Sequence, residues 1–209
     1  MDGLQNLKSG IMPTGAGIKK KSNFLNVITM KSAGDRRKMV MYIAMSLDGY
    51  IAKPDDDLSF LDSVQLDGED YGYGEFISSV DTVLIGRKTY DWVVNAIGKN
   101  PHEDKLSYVI TSQSRVSEGN LQYYSADLND LCEKLKSFPG KNIYCDGGAQ
   151  LVNALLGLKQ IDEIIISIIP VLLGDGVRLF QKGYTELPLS LIGTKHFKSG
   201  LVQLRYSCS

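Results

Sequence analysis

The stretch Val83-Leu84-Ile85-Gly86-Arg87-Lys88-Thr89-Tyr90 brings a glycine, two cations and a hydroxyl to the point where an apolar run gives way to a helical pattern. The first N–H groups of a helix have no intrahelical partner and lie at the positive end of its dipole. A glycine there lets backbone approach a ligand, so the combination suits an anion. The fork of Arg87 matches a terminal phosphate such as the 2′-phosphate that separates NADPH from NADH. Thr89 is placed to cap the helix and to meet a pyrophosphate oxygen. The same residues would equally serve an exposed first turn with no ligand.

A second junction of the same kind is Ile143-Tyr144-Cys145-Asp146-Gly147-Gly148-Ala149-Gln150-Leu151, whose glycine pair suits close backbone approach to a pyrophosphate or simply a tight turn. A third, Val109-Ile110-Thr111-Ser112, ends a strand in two hydroxyls. In an open α/β sheet, ligands lie outside the carboxyl ends of the strands, so three such junctions on one edge point to a shared ligand. Neither the GxGxxG dinucleotide fingerprint nor a P-loop is present.

Two carboxylates are candidates for catalysis. Asp48 follows the first strand and is positioned to bind a substrate polar group or to relay a proton through water, although an aspartate before Gly49 also reads as a turn residue. Asp57 is the second candidate, in a run of three acids that equally describes a solvated loop. Tyr71, Tyr73 and Trp92 are available to stack on a planar heterocycle or to fill the core. Gly174-Asp175-Gly176 is a turn that would bend toward a substrate or serve packing alone.

The elements that must hold these residues follow from pattern. Residues 39–45 read as a buried strand, followed by a turn at Ser46-Leu47-Asp48-Gly49. Residues 53–74, with Pro54-Asp55-Asp56-Asp57 and the glycine-rich 68–74, are expected to be a mobile surface segment of the kind that covers active sites. A short helix ends over 75–79. Strands are expected at 81–85, 106–111, 121–124, 142–145 and 163–169, with helices at 88–96, 128–137 and 149–158 between them. A closing hairpin over 189–207 turns at Lys198-Ser199-Gly200. Strands alternating with helices indicate an α/β class with a mostly parallel sheet and an antiparallel end.

Composition narrows the function classes. At 209 residues and 43% hydrophobic content the chain has enough apolar material for one core. Cys132, Cys145 and Cys208 are widely spaced and only two histidines could join them, so neither a metal site nor a disulfide framework is expected, and a reducing, cytoplasmic setting is. Residues 1–38 hold eight Lys or Arg against two Asp, a net of +6 that leaves −7 for the remainder of a chain whose total is −1. An acidic fold opposes non-specific nucleic-acid binding. The 1–38 segment is read as a disordered basic leader and 39–209 as the domain. The leader's apolar patch at 24–28 is too short for a signal segment or a membrane span.

The ordered set Ile43-Ala44-Met45-Ser46-Leu47-Asp48-Gly49-Tyr50-Ile51-Ala52, Ile85-Gly86-Arg87-Lys88-Thr89-Tyr90, Asp146-Gly147-Gly148 and Pro170-Val171-Leu172-Leu173-Gly174-Asp175-Gly176 resembles the dihydrofolate-reductase-like superfamily. It is most similar to the branch of the reductase domain of the bacterial bifunctional riboflavin-biosynthesis deaminase-reductase. That resemblance implies a three-layer α-β-α fold, NADPH extended across the strand ends, and a homodimer acting on a small molecule. It implies that the backbone of Ala44 and Ile51 holds the nicotinamide carboxamide. Arg87, Lys88 and Thr89 would take the 2′-phosphate and pyrophosphate beside Gly86, with Thr111 and Ser112 near the adenosine phosphate. Gly147, Gly148, Ala149, Gln150 and Leu151 would close over the pyrophosphate. The implied activity is that of a 5-amino-6-(5-phosphoribosylamino)uracil reductase, with a dihydrofolate or pterin reductase and a non-catalytic nucleotide-binding module as alternatives. No HxE or PCxxC zinc signature occurs, so this chain is not expected to deaminate.

Overall fold

The computed structural model describes residues 36–183 and 186–208. Most of the expected basic leader therefore lies outside the described residues. Its last residues are already fastened to the fold: Arg37 is buried and donates to the Lys141 and Leu135 carbonyls, to Asp81 and to Thr82.

Among the described residues, eight strands make one sheet in the order β5 (Leu121–Tyr124), β4 (Leu106–Ile110), β3 (Val80–Gly86), β6 (Asn142–Gly147), β1 (Met39–Ser46), β7 (Glu163–Ile169), β10 (Val202–Cys208) and β9 (Leu189–His196). From β5 to β7 every pairing is parallel, and β10 and β9 add the antiparallel end expected of the closing hairpin. A two-stranded ribbon pairs β2 (Tyr50–Ala52) with β8 (Val177–Arg178). The fold is the dihydrofolate-reductase-like α-β-α sandwich expected of these motifs.

Helices cover both faces because the central strands are apolar on both sides. On one face, α3 (Leu128–Ser137) and α4 (Ala149–Gly157) pack Leu131, Leu135, Val152 and Leu155 against Met39, Met41, Leu84, Ile143 and Ile164. On the other, Phe76 of α1 (Tyr73–Ser78) meets Val40, Val83 and Tyr144, while Tyr90 and Val94 of α2 (Arg87–Ile97) meet Ile85 and Val109. Each such side chain taken fully out of water contributes roughly 1.5–3 kcal/mol before chain entropy is set against it. Capping fixes the helix ends: the Asp127 carboxylate accepts from the Asp130 N–H at the start of α3, and Gly98, in the left-handed region at φ +75°, stops α2. No helix among the described residues is long and apolar enough to cross a membrane.

The feature that positions a site is where β1 stops pairing with β6. Their ladder covers only Met39 to Met41 against Ile143 to Cys145. Beyond it β1 stays with β7 as far as Ser46–Ile169, and β6 stays with β3 as far as Ile85–Gly147. The sheet therefore divides along its middle at the carboxyl ends of the strands. The burial of β1 changes at the same residue, from fully buried at Met39 to Met41 to half-buried at Tyr42 to Met45.

Residues 53–74, expected as a mobile surface segment, are instead built into the fold. Two short 3-10 turns, Pro54–Asp56 and Ser59–Val64, lead to Tyr71, and Phe60, Val64 and Tyr71 are buried with Ile169 and Leu201. The apolar residues between the loop signals outweigh the signals.

Gly176 carries the approach of β8 to β2, because a Cβ there would stand 2.1 Å from the Ala52 carbonyl oxygen and its φ is +134°. Replacing it by alanine is expected to cost about 1–3 kcal/mol or more, read as a lowered melting temperature. The control is Gly157→Ala, where nothing lies within 4 Å of the added carbon and stability should hold or rise.

Candidate active site

Hydrogen bonding along a parallel strand alternates sides. The Lys38 carbonyl accepts from Ile143 of β6, and the Met39 carbonyl accepts from Asp162 on the β7 side. Even-numbered residues of β1 therefore turn their backbone groups toward β6. The Tyr42 carbonyl does so and accepts the Tyr144 hydroxyl at 3.2 Å. Ala44 is next in that series, and the ladder that would occupy its N–H and C=O has ended at Met41–Cys145. Its backbone pair faces the gap. Ile51, in β2, is half-buried against the main core at the same end of the sheet.

The opposite lip of the gap is glycine. Gly86 heads α2, and a Cβ on it would stand 3.4 Å from the Gly147 carbonyl oxygen. Gly147 has φ +110° and its peptide to Gly148 is cis. A Cβ on Gly148 would be 2.6 Å from the Thr89 hydroxyl, which accepts the Gly148 N–H at 3.0 Å. The first and second glycine junctions are thus a single structure. Thr89 does not cap α2, since Gly86 is the N-cap and supplies no side-chain bond. The hydroxyl lies too far into the first turn to reach back and is used to bind the neighbouring turn. Beyond Gly148, Ala149 and Leu151 are buried and Gln150 is exposed.

Arg87 is half-buried and pairs with Asp91 one turn along at 2.5 Å, and Lys88 is exposed beside it. Asp91 also meets Arg115 at 3.5 Å, and Arg115 lies over the Tyr123 ring at 5.5 Å. Arg115 follows the third junction, where the Thr111 hydroxyl accepts the Gln113 N–H at 3.1 Å and Ser112 is exposed. Two guanidinium groups sharing one carboxylate leave net positive charge at this end of the cleft.

The two catalytic candidates hold loops. Asp48 accepts the Ser46 hydroxyl at 2.6 Å and the N–H groups of Leu173 and Gly174 at 3.1 and 2.7 Å. Those bonds, Ser46 first, lower its pKa to about 2. Asp57 is exposed and accepts the Ser59 N–H and hydroxyl at 2.8 and 2.9 Å, starting the second 3-10 turn, with Lys53 at 3.6 Å. Its pKa is lowered chiefly by the same Ser59 bonds. Tyr71 is buried with its hydroxyl on the Val64 carbonyl, so it is not free to stack on a ligand.

A further polar group stands at the gap. His102 Nε2 lies 2.9 Å from Asp146 Oδ2, directly before the glycine pair. Burial alone would raise the Asp146 pKa; the hydrogen bond and charge of His102, with the Tyr144 hydroxyl, overcome it and the net shift is downward. An ionised carboxylate only accepts, so Nε2 carries the proton. Asp146 is visible in the sequence as part of the glycine motif, but nothing around His102 announces the pairing across 44 residues.

A dihydrofolate-reductase-like domain with a glycine-lined cleft at the centre of its sheet is the class this geometry defines. The chain belongs to the RibD C-terminal domain family, whose model matches residues 37–203. It is 42% identical over 171 residues to the uncharacterized protein YwjB of Bacillus subtilis (strain 168), covering 81% of this chain and 97% of that one. A putative riboflavin biosynthesis protein from Shewanella sp. PV-4 has a solved structure that superposes with a TM-score of 0.74 at 29% identity, covering 82% of this chain and 99% of that one. The dihydrofolate reductase of Enterococcus faecalis, solved in complex with NADP(H) and RAB-propyl, shares the fold at a TM-score of 0.57 and 12% identity, covering 82% of this chain and 98% of that one.

The Asp48 bonds carry a pH signature. An acid whose folded pKa lies below its ordinary value of 3.8 adds stability only while charged, so its contribution is complete above 3.8 and lost as pH falls through about 2. Asp48→Asn is expected to melt below the wild type at neutral pH. The two melting temperatures should converge between about pH 4 and about pH 2 in a thermal series read by circular dichroism.

Proposed function

We propose that this chain is an NADPH-dependent reductase of the RibD C-terminal type, passing hydride to a small heterocyclic, ribosylaminopyrimidine-like acceptor. The observation that carries the reading is the gap itself: the backbone pair of Ala44 on one lip faces the Gly86 and Gly147-Gly148 turn on the other. Backbone polar groups without a ladder partner must be satisfied by water or by a ligand. A carboxamide, with one donor side and one acceptor side, complements an N–H and C=O presented together.

NADPH supplies the hydride when bound, and the residues present fit it. Glycine at positions 86, 147 and 148 leaves bare backbone for a pyrophosphate to approach, Gly147 at a φ of +110° that side chains rarely adopt and Gly148 where a Cβ would stand 2.6 Å from the Thr89 hydroxyl. The N-terminus of α2 adds its unpaired N–H groups and positive dipole end. Arg87 would trade part of its contact with Asp91 for the 2′-phosphate, with Arg115 at hand to keep Asp91 neutralised. Thr111 and Ser112 would meet the adenosine side from the next strand end. The chain's own contribution to the chemistry is to hold donor and acceptor carbons together and to exclude water.

Titration of the purified protein with NADPH and with NADH, followed by quenching of Trp92 fluorescence or by calorimetry, tests this. NADPH is expected to bind more tightly, and Arg87→Ala to weaken NADPH by about tenfold or more while changing NADH little, as loss of a charge-assisted contact worth roughly 1.5–3 kcal/mol requires. Equal affinity for the two nucleotides in both proteins would remove the assignment of Arg87, and binding of neither would remove the reductase reading.

A further inference from the structure

Aspartate precedes glycine at positions 2, 48, 67, 146 and 175. In such a pair the side-chain carboxyl can close on the next backbone nitrogen, because glycine puts no side chain in the way. Whether it does so depends on where the two groups are held. Asp48 gives its carboxylate to Ser46, Leu173 and Gly174, and the Gly49 N–H goes to the Ser46 carbonyl at 3.0 Å. Asp146 is turned to His102. Asp67 and Gly68 are both exposed in a turn, and Asp2 lies outside the described residues. Asp175 differs: its Oδ1 accepts the N–H of its own successor, Gly176, at 2.7 Å.

The loop around that contact is tied on both sides. Before it, the Gly174 N–H donates to Asp48 at 2.7 Å and the Gly174 carbonyl accepts the Tyr50 hydroxyl at 3.1 Å. After it, Val177 pairs with Ala52 and the Leu179 N–H donates to the Gly49 carbonyl at 3.0 Å. Gly176 itself is demanded by the fold, since a Cβ there would stand 2.1 Å from the Ala52 carbonyl oxygen. Asp175 is not: it is exposed, and the Gly176 bond is the one its carboxylate makes among the described residues. Carboxyl and nitrogen are thus kept in contact, with solvent at hand, by a loop that cannot easily carry them apart. Holding two groups together in this way favours reaction between them.

We propose that Asp175-Gly176 is a self-modification site, at which the folded chain converts to an isoaspartyl linkage. The Gly176 nitrogen gives up its proton and bonds to Cγ of Asp175, and the hydroxyl of the protonated carboxyl leaves as water. The product is a cyclic succinimide. Water then adds back: opening at the main-chain carbonyl gives isoaspartate, and opening at the side-chain carbonyl restores aspartate. Nothing is oxidised or reduced, and the final mass is unchanged. Isoaspartate lengthens the main chain by one methylene directly before β8, so Val177 and Arg178 lose their register with Ala52 and Tyr50. It also leaves a free α-carboxylate on the loop, the group that a carboxyl-methylating repair enzyme takes. The inference stands apart from the reductase reading and needs no cofactor.

The full chain is held for days in warm, mildly acidic buffer, then digested and mapped by mass spectrometry. An isoaspartyl carboxyl methyltransferase with a labelled methyl donor counts the isoaspartate. A synthetic peptide covering residues 172–179 runs alongside to show that the conditions suffice. The fragment holding Asp175 is expected to yield an isomer of unchanged mass, preceded by a species one water lighter, and to carry several-fold more isoaspartate than the fragment holding Asp67. The fragments holding Asp48 and Asp146 should stay aspartyl. Asp175→Asn, with ammonia as the leaving group, should convert faster at the same position, and Asp175→Glu, whose ring would be larger, should not convert. More isoaspartate at Asp67 than at Asp175, or aspartate intact at 175 after the synthetic peptide has converted, would each overturn the proposal. Mapping of the wild type decides the matter even where a variant folds poorly.

Discussion

At any one residue, the backbone of β1 can hydrogen-bond to β6 or face a ligand, but not both. The chain resolves that choice at Met41–Cys145, where the ladder ends and the strands go with their outer neighbours, β1 with β7 and β6 with β3. Everything attributed to the site depends on this division. It turns Ala44's backbone pair into the gap and brings Gly86 against Gly147 and Gly148 on the far lip. Leaving backbone groups without a ladder partner is costly in a core and acceptable in a wet cleft. The half-buried state of Tyr42 to Met45 is the imprint of that cleft on β1.

The rest of the fold keeps the gap from closing. On one side Thr89 binds the Gly148 N–H and so ties α2 to the glycine turn, and His102 ties the following loop to Asp146. On the other, Asp48 gathers the N–H groups of Leu173 and Gly174, and the Gln203 amide reaches the Tyr42 and Ser167 hydroxyls from β10. Polar side chains that serve as fasteners in this way form a network whose members are all satisfied, which is what lets a polar cleft stay rigid. Arg87 and Arg115 lie at the α2 end, both on Asp91, and Asp146 lies near the middle beside His102.

Much of this was legible from residue types and spacing. The alternation of strands and helices, the closing hairpin and the two glycine junctions all follow from local pattern, because local pattern is what sets them. Membership of the RibD C-terminal domain family agrees with the resemblance carried by those junctions. What pattern could not supply was long-range pairing. Thr89 looks like a helix cap until Gly148 is seen beside it, and the loop partners of Asp48 and Asp57 are likewise invisible in their spacing. Residues 53–74 carry loop signals, yet Phe60, Val64 and Tyr71 find a core that only the tertiary fold provides. His102 and Arg115 had no local signature at all.

The most direct test of the central claim is a crystal structure of the chain grown with NADPH. The account predicts a nicotinamide seated between Ala44 and Gly147 with its carboxamide on the Ala44 backbone, the pyrophosphate against Gly86 and Gly148, and the 2′-phosphate on Arg87. A dinucleotide bound elsewhere, or strands β1 and β6 joined past Met41 with the gap closed, would contradict it.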